Sequence, residues 1–396
     1  MRFLVGIDDT DSSRGYCTTY LAYRIATDLS QTIKVCPYPR LVRLNPNIPF
    51  KTRGNAAVCL TLEGDDPEAA FRALSSKVME LADVGGGANS GMVFLEGTSR
   101  ATAFESLYQD ALTAVVNPHR ARSIVKEEGG RIFELGNGMG VVGAAASIGF
   151  GGASDHTYEL IAYRSKEHWG TRRLIDSSSV KEMDARMFPH TFNSYDYQKK
   201  KVLVAPHGPD PVFVGIRGDS PSSVLSAFRM LNYDEPLEGH MVYLSNQHTD
   251  AHIQRKLDWK VYSSGWVDGE VEGVEVGEGG HVYVTIDQGG TRRTLAAYEP
   301  TGDLRRAAKL LKRGDSIRAS GGVRRATSRH PKILNMERLE VMRAYGGSLE
   351  AGVYISSARS NRHLTKPLMR YGLEVCEEAE PVEGWLEPTT LPREHV

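Results

Sequence analysis

The sequence predicts a multidomain protein of mixed α/β and α+β architecture that closes with an OB-fold β-barrel, and three observations lead there. The chain has 396 residues, more than one compact core usually organises. Up to about residue 256, apolar strand-like runs alternate with helical periodicity, the signature of mixed α/β layers. Beyond Trp259 the texture changes to five short strands with one helix between the third and fourth, the order of an OB barrel.

Taken in order, Phe3–Ile7 is a short apolar strand that stops abruptly at Asp8-Asp9-Thr10-Asp11-Ser12-Ser13. A buried strand ending in a polar cluster is the usual shape of a catalytic edge in an α/β sheet. Cys17–Leu29 follows as a helix, with Leu21, Ile25 and Leu29 four residues apart. Arg40–Leu44 and Ala56–Leu62 read as strands separated by Pro46, Pro49 and the polar turn Lys51-Thr52-Arg53-Gly54-Asn55, and Pro67–Leu81 reads as a helix. Gly136–Gly143 is a glycine-rich turn opening a helix over Ala144–Ile148; free N–H groups there could hold phosphate, although a plain turn satisfies the same pattern. Lys201–Ala205, Val212–Ile216, Ser220–Met230 and Met241–Leu244 give strand, strand, helix, strand, which suits a small ferredoxin-like unit. The barrel strands are Val274–Val276, His281–Ile286, Thr294–Tyr298, Ser316–Ser320 and Leu334–Val341, with Asp303–Leu311 the helix. The expected division is therefore 1–198, 199–256, 257–344 and a loosely patterned tail, 345–396.

Composition narrows the class. Hydrophobic residues make up 40% of the chain, charged residues 24% and aromatic residues 8%, values of an ordinary globular protein. Four cysteines, Cys17, Cys36, Cys59 and Cys376, stand far apart with no CxxC pair, against a disulfide framework or a zinc ribbon. No apolar run approaches the roughly 20 residues that span a bilayer. The expectation is a cytoplasmic enzyme without a membrane partner.

The net charge of −1 hides an asymmetry. Between Thr291 and Arg338 stand 13 lysines and arginines against the four acids Glu299, Asp303, Asp315 and Glu337, a local net charge of +9. Such a block on a barrel-like unit points to a nucleic acid. Arg292, Arg293, Arg324, Arg325 and Lys332 are the candidate RNA-binding residues.

Asp8, Asp9 and Asp11 are the candidate catalytic centre. Three carboxylates converging at a strand end would hold Mg²⁺, a hard cation suited to neutralising triphosphate oxygens. Helix capping explains one such acid, not three. Thr18 and Thr19 lie a turn beyond, where a hydroxyl could accept a phosphoryl group, but from spacing alone an ordinary helix start is the better account of them. Lys51 and Arg53 offer cations for phosphate, and Arg217, between Gly215 and Gly218, offers another. His248 and His252 would form a metal pair if helical. Asp9-Thr10-Asp11-Ser12-Ser13 also mimics the nucleophile loop of haloacid-dehalogenase-type phosphatases, over five residues only.

Longer motifs are similar to one family, the archaeal 2-agmatinylcytidine synthetases of the minor isoleucine tRNA. They are Gly6-Ile7-Asp8-Asp9-Thr10-Asp11-Ser12 with Cys17-Thr18-Thr19, Pro39-Arg40-Leu41-Val42-Arg43-Leu44-Asn45-Pro46 and Lys51-Thr52-Arg53-Gly54-Asn55. Tyr158–Arg164, Phe188–Phe192, Gly215–Gly218, Gly279–Val282, Glu299–Thr301 and Arg362–Leu368 extend the likeness over nearly the whole chain.

The resemblance implies a kinase-like α/β domain at the amino terminus and a ligase reaction. Agmatine would be joined to C2 of the wobble cytidine of a CAU-anticodon isoleucine tRNA, so that the tRNA reads AUA. ATP would phosphorylate the C2 carbonyl oxygen, being consumed to AMP and diphosphate-level products, and Thr18 would itself be phosphorylated. Asp8, Asp9, Asp11 and Thr18 are then the expected catalytic residues, with Mg²⁺ on the three aspartates. Gly6, Lys51, Arg53, Asn55 and Arg217 are the expected ATP- and phosphate-binding residues. Relatives carry a four-cysteine zinc ribbon after the barrel; those cysteines are absent here, so no structural zinc is expected. The alternative is a ribbon-less paralogue using the same phosphorylation chemistry on another RNA or amine.

Overall fold

The computed structural model describes residues 1–52, 54–99, 101–152, 155–197, 200–301, 303–328, 331–343 and 385–387. It is a mixed α/β molecule with several sheets. The first sheet is built from β1 (Arg2–Asp8), β2 (Lys34–Val35), β3 (Arg40–Arg43), β4 (Ala56–Glu63), β5 (Gly91–Glu96) and β6 (Arg131–Glu134). Helices α1 (Thr18–Asp28), α2 (Pro67–Leu81), α3 (Thr102–Thr113), α4 (Pro118–Glu127) and α5 (Val141–Gly149) accompany them. The chain continues through β7 (Thr157–Arg164), α6 (Ser177–Met187), β8 (Thr191–Phe192), β9 (Tyr195–Asp196), β10 (Lys201–Val202), β11 (Val212–Gly218), α7 (Pro221–Arg229) and β12 (Leu237–Ser245).

The strand order is β6-β5-β1-β4-β3-β12-β7-β11-β8, with β2 on β4. Its halves meet where β3 runs parallel to β12 through Arg40 and Leu41 against Leu244 and Ser245. Successive side chains of a strand face opposite ways, and β1 shows the consequence. Phe3, Val5 and Ile7 pack with Leu21 and Ile25 of α1 and Leu74 and Val78 of α2. Leu4 faces the other layer, with Phe104 of α3, Ala121 of α4 and Ala144 of α5. Asp66 caps α2 by accepting from the N–H groups of Glu68 and Ala69, with Pro67 at its first position, a start signal plain in the sequence.

Helix α5 is Val141-Val142-Gly143-Ala144-Ala145-Ala146-Ser147-Ile148-Gly149, and all but Val142 are buried. A helix of such small residues can sit with its backbone almost touching its neighbours. A Cβ at Gly6 would overlap the Ala144 carbonyl, one at Gly91 the Val141 amide, and one at Gly149 the Phe104 carbonyl. The glycine at position 6 is thus occupied by helix packing rather than opened toward a ligand.

The second unit contains β13 (Ser264–Val276), β14 (Val282–Asp287), β15 (Arg292–Ala297), α8 (Asp303–Leu310), β16 (Ser316–Arg324), β17 (Ile333–Arg343) and β18 (Trp385–Glu387). The pairings run β15-β14-β13-β16-β17, and β15 also pairs with β17 in parallel, so the five strands return on themselves. Val267, Val284, Leu295, Leu304, Ile317 and Leu339 fill the interior.

Several sequence expectations shift. The strand expected over 201–205 is only β10, which pairs with β9 away from the large sheet. Strand β7 pairs along its length with both β11 and β12, so hydrogen bonding runs across residue 198. Strand β13 begins at Ser264, well before the expected Val274, because Gly265, Gly269 and Gly273 break its sequence pattern without breaking its pairing. His248 and His252 do not share a helical face: His248 and Asp250 take φ of 60° and 56°. His252 instead lies 2.6 Å from Glu337 Oε2. The tail beyond 343, with Arg362–Leu368 and Cys376, lies outside the described residues apart from β18.

Gly6→Ala is expected to lower folding stability by about 1–3 kcal/mol, the range for overpacking a filled interior. Urea unfolding followed by circular dichroism measures it.

Candidate active site

Strand β1 delivers Asp8 to the point where α5 starts. A Cβ at Gly143 would overlap Asp8 Oδ2, and one at Gly140 would crowd the Asp8 carbonyl. The carboxylate therefore rests against the first turn of α5, where the helix dipole favours negative charge. The chain then turns through Asp9 at φ 56°, a left-handed conformation that aspartate tolerates better than most residues. The Asp9 N–H donates to Asp8 Oδ1 at 2.7 Å, and Ser90 Oγ donates to the Asp9 carbonyl at 2.8 Å. These bonds hold the turn from both sides.

A cleft of about 730 Å³ opens there. Asp8, Asp9 and Asp11 line it, facing Lys51, Thr52 and Asn55 of the β3–β4 loop and Met139, Gly140 and Gly143 at the start of α5. Leu44, Ile48, Phe50, Val115, Val116 and Val142 supply an apolar wall. Burial pushes the Asp8 carboxyl well above its usual range, with the Asp9 charge adding to it. Asp9 is pushed up to about 6 by burial and then by Asp11. Surplus negative charge on hard oxygens suits a divalent cation. All three carboxylates line this one cleft, and Asp9 and Asp11 both act on the Asp8 carboxyl. Among the described residues no three His, Cys, Asp or Glu side chains gather as a metal-binding group. One or two carboxylates remain sufficient for Mg²⁺, which draws its other ligands from phosphate and water.

A second cavity, about 850 Å³, adjoins the first, and Asp11, Gly54 and Ala56 line both. Cys17, Thr18 and Thr19 at the start of α1 form one side. Leu41, Ile161, Val204, Pro206 and Val212 give apolar walls, while Arg43, Glu159, Asp210 and Arg217 supply charge. Thr18 is buried, its Oγ1 3.0 Å from Thr10 Oγ1. The first turn of α1 is pinned from below: the hydroxyls of Tyr163 and Tyr243 donate to the Thr19 carbonyl at 2.9 and 2.8 Å. Burial raises both phenols far above their ordinary range, so they remain neutral donors.

Arg217 lines the second cavity with Asp11 and pairs with a buried glutamate. Its Nε lies 3.5 Å from Glu159 Oε1, and Arg43 lies 3.4 Å from Glu159 Oε2. Glu159, almost wholly buried, thus sits between two guanidinium groups, the compensation a buried carboxylate requires. Gly6 lines neither cavity, and Arg53 lies outside the described residues. Sequence reasoning singles out neither Glu159 nor Arg43 as functional. An acid inside the apolar strand Tyr158-Glu159-Leu160-Ile161-Ala162 is the available signal.

On the second unit, Arg292, Arg324 and Arg325 are exposed, while Arg293 and Lys332 are half-buried. Arg292 pairs with Glu272 at 2.6 Å. Arg293, Arg318 and Arg325 lie over the rings of Trp259, Trp266 and Tyr262.

Known proteins resemble this chain in sequence and fold. The TiaS TCKD domain model matches residues 4–68, which carry Asp8 through Asn55, and the TiaS FLD domain model matches 138–252. The isoleucine-tRNA 2-agmatinylcytidine synthetase TiaS of Cenarchaeum symbiosum is 44% identical, over 97% of this chain and 96% of its own length. The chain belongs to the TiaS family. The TiaS of Methanopyrus kandleri is 38% identical over 86% of this chain and 80% of its own. A crystal structure of TiaS in complex with its isoleucine tRNA and ATP superposes with a TM-score of 0.83 at 30% identity, covering 100% of this chain and 96% of that one. That of TiaS with the same tRNA, AMPCPP and agmatine gives 0.79 at 32%, covering 90% and 85%. Both TiaS domain models thus fall on the segments that line the two cavities.

The buried Asp8 carboxyl carries a stability consequence with a definite sign. A carboxyl whose folded pKa is raised above its ordinary 3.8 contributes stability below that value and loses it as pH rises through the folded pKa. Near neutrality Asp8 therefore opposes folding. Asp8→Asn is expected to stabilise the ligand-free protein by about 1 kcal/mol, read as a higher midpoint in thermal unfolding at pH 7.

Proposed function

We propose that this protein is an ATP-dependent C–N bond-forming ligase that joins agmatine to C2 of the wobble cytidine of CAU-anticodon isoleucine tRNA. The junction of the two cavities at Asp11 and Gly54 carries this reading, because phosphoryl donor and acceptor must meet at one point. Membership of the TiaS family supports it, as do the ATP and agmatine bound by relatives.

In this reading ATP occupies the first cleft. Its adenine lies against the Phe50, Val115 and Val142 wall, and its phosphates lie toward Lys51 and the start of α5, where N–H groups and the helix dipole favour anions. Mg²⁺ held by Asp8 and Asp11, with Asp9 beside them, would offset charge on the phosphoryl group in transfer. Lys51, Asn55 and Arg53 are proposed as phosphate contacts. Arg217 is proposed to orient Glu159 rather than to clamp phosphate. The cytidine enters the second cavity, whose apolar walls suit a base taken from its stack. The C2 carbonyl oxygen attacks the terminal phosphorus of ATP as that phosphorus breaks its bond to the bridging oxygen, and the remaining nucleotide leaves with that oxygen and the electron pair. The agmatine amine then attacks C2, the C2–oxygen bond breaks, and phosphate leaves with the amine proton lost to a base. Asp11 and Asp210 are suited to the cationic amine, and Thr18 to accepting a phosphoryl group.

The architecture has matching assignments. Strands β7, β8, β11 and β12 alternate with α6 and α7 as β-α-β-β-α-β, in sheet order β12-β7-β11-β8. We propose this as the ferredoxin-like domain, starting near residue 157 rather than 199, with a kinase-like catalytic domain before it. The self-closing second unit from about 257 is proposed as an OB barrel carrying RNA. No helix of the described residues is long and apolar enough to cross a membrane, and a tRNA substrate suits an enzyme of the cytoplasm.

The deciding experiment incubates the protein with ATP, Mg²⁺, agmatine and a CAU-anticodon isoleucine tRNA transcript, followed by mass spectrometry of nucleosides. An agmatine-dependent mass gain on cytidine is expected, and Asp11→Ala should abolish it while retaining tRNA binding. No gain with the unaltered protein would transfer the chemistry to another RNA or amine. Reversing Arg324 and Arg325 to Glu is expected to weaken tRNA binding at least tenfold and to flatten its salt dependence, as measured by filter binding at several salt concentrations.

A further inference from the structure

The loop that lines the ATP cleft is also the loop that docks the second unit. Asn45 sits at its start and is fully buried. On the cleft side, its carbonyl accepts from Asn55 Nδ2 at 2.9 Å, and its N–H donates to the carbonyl of Ala111 at 2.9 Å. Both Asn55 and Ala111 line the cleft. On the other side, Asn45 Nδ2 donates to the Tyr262 carbonyl at 2.7 Å, and its Oδ1 accepts from Ser264 Oγ at 3.1 Å. The Asn47 N–H donates to the same Oδ1 at 2.9 Å, while Asn47 Nδ2 donates to Ser264 Oγ at 2.7 Å. A Cβ at Gly322 of β16 would overlap the Asn47 amide, so the loop tip is seated against the backbone of the second unit.

We propose that Asn45 is a positioning residue that couples the RNA-carrying unit to the ATP cleft. Every polar atom of its side chain is committed to the second unit or to the loop tip, while its backbone holds two residues of the cleft wall. A shift of β13 relative to the first sheet pulls on Asn45, and Asn45 transmits it to Asn55 and to the loop carrying Lys51. Asparagine suits the task because one amide both donates and accepts. Buried networks of this kind transmit displacement because leaving a member unpaired is costly. The engaged position of the second unit therefore sets the shape of the phosphate side of the cleft.

The proposal rests on the reading of the first cleft as the ATP site, and the test separates the two. Ser264 lines neither cavity, so Ser264→Ala weakens the link, removing the side-chain bonds to Asn45 and Asn47, without touching the site. Binding of AMPCPP with Mg²⁺ is measured by calorimetry, and binding of the CAU-anticodon transcript by filter assay. Ser264→Ala, which loses two hydrogen bonds, is expected to weaken AMPCPP about fivefold, part of their net worth, and to leave tRNA affinity unchanged. Ser264→Thr, which keeps the hydroxyl, is expected to bind AMPCPP like the unaltered protein. In an Asn55→Ala background Ser264→Ala should add less than it does alone, since the Asn55 branch of the path is already cut. Unchanged AMPCPP affinity in Ser264→Ala, equal weakening by Ala and Thr, or full additivity with Asn55→Ala would overturn the coupling and leave the ATP site standing. Absence of AMPCPP binding by the unaltered protein would remove both.

Discussion

The close seating of α5 on β1 and β5 is the constraint on which the site depends. Glycines at 6, 91 and 140 let helix and sheet backbones approach to distances that no side chain permits, while Gly143 leaves room for the Asp8 carboxylate and Gly149 for the backbone of α3. That approach places the first turn of α5 beside the end of β1, and so places Asp8. A larger residue at Gly143 would push the carboxylate away, and one at Gly6 would lift the whole helix. The acidic end of β1 and the electropositive start of α5 are therefore one feature. Chain segments more than 130 residues apart in sequence are fixed together by the absence of side chains between them.

This is also why the glycine-rich stretch is ambiguous as sequence. Gly136–Gly143 satisfies the pattern of a plain turn as well as that of an anion-binding loop, and nothing local distinguishes them. Only the strand it meets does so. By contrast, β1, β4 and α2 are legible because their information is local: a buried apolar run ending in acids, and a Pro67 start after the capping Asp66. The second unit is legible through its strand count, but not through its first strand. The Asp, Glu and Gly residues between Ser264 and Val276 lower the apparent strand signal, while hydrogen bonds to β14 and β16 hold it regardless. The place of β7 escapes the sequence for a related reason. An apolar strand carries no mark of its partners, and β7 finds them in β11 and β12, beyond residue 198.

Charge tells a similar story. The sequence offers Arg217 as a cation between glycines, but the fold supplies Glu159 within 3.5 Å of it and Arg43 on the other side. A buried arginine and a buried glutamate each cost several kcal/mol of desolvation alone, so they come as a set. Such pairing is decided in three dimensions and is hard to read from spacing. The three aspartates illustrate the converse. Their proximity in sequence carries into the fold, where all three line one cleft and the chain turns left-handed at Asp9. Asp11 also lies at the boundary between the two cavities, which spacing does not reveal.

That boundary governs how the proposed reaction can be ordered. A phosphorylated base in water would hydrolyse, so the intermediate must form and be consumed in a place that excludes bulk solvent. Two adjoining cavities with apolar walls meet this need if the phosphoryl group crosses near Asp11 and the amine approaches from the Thr18 side. The loop that starts at Asn45 lines the first cleft and is seated on the second unit by Asn45 and Asn47. Under the proposed coupling, the shape of the cleft would therefore depend on how the second unit is seated. An enzyme that spends ATP on a single base has reason to bind its nucleotide productively only when the polymer bearing that base is in place.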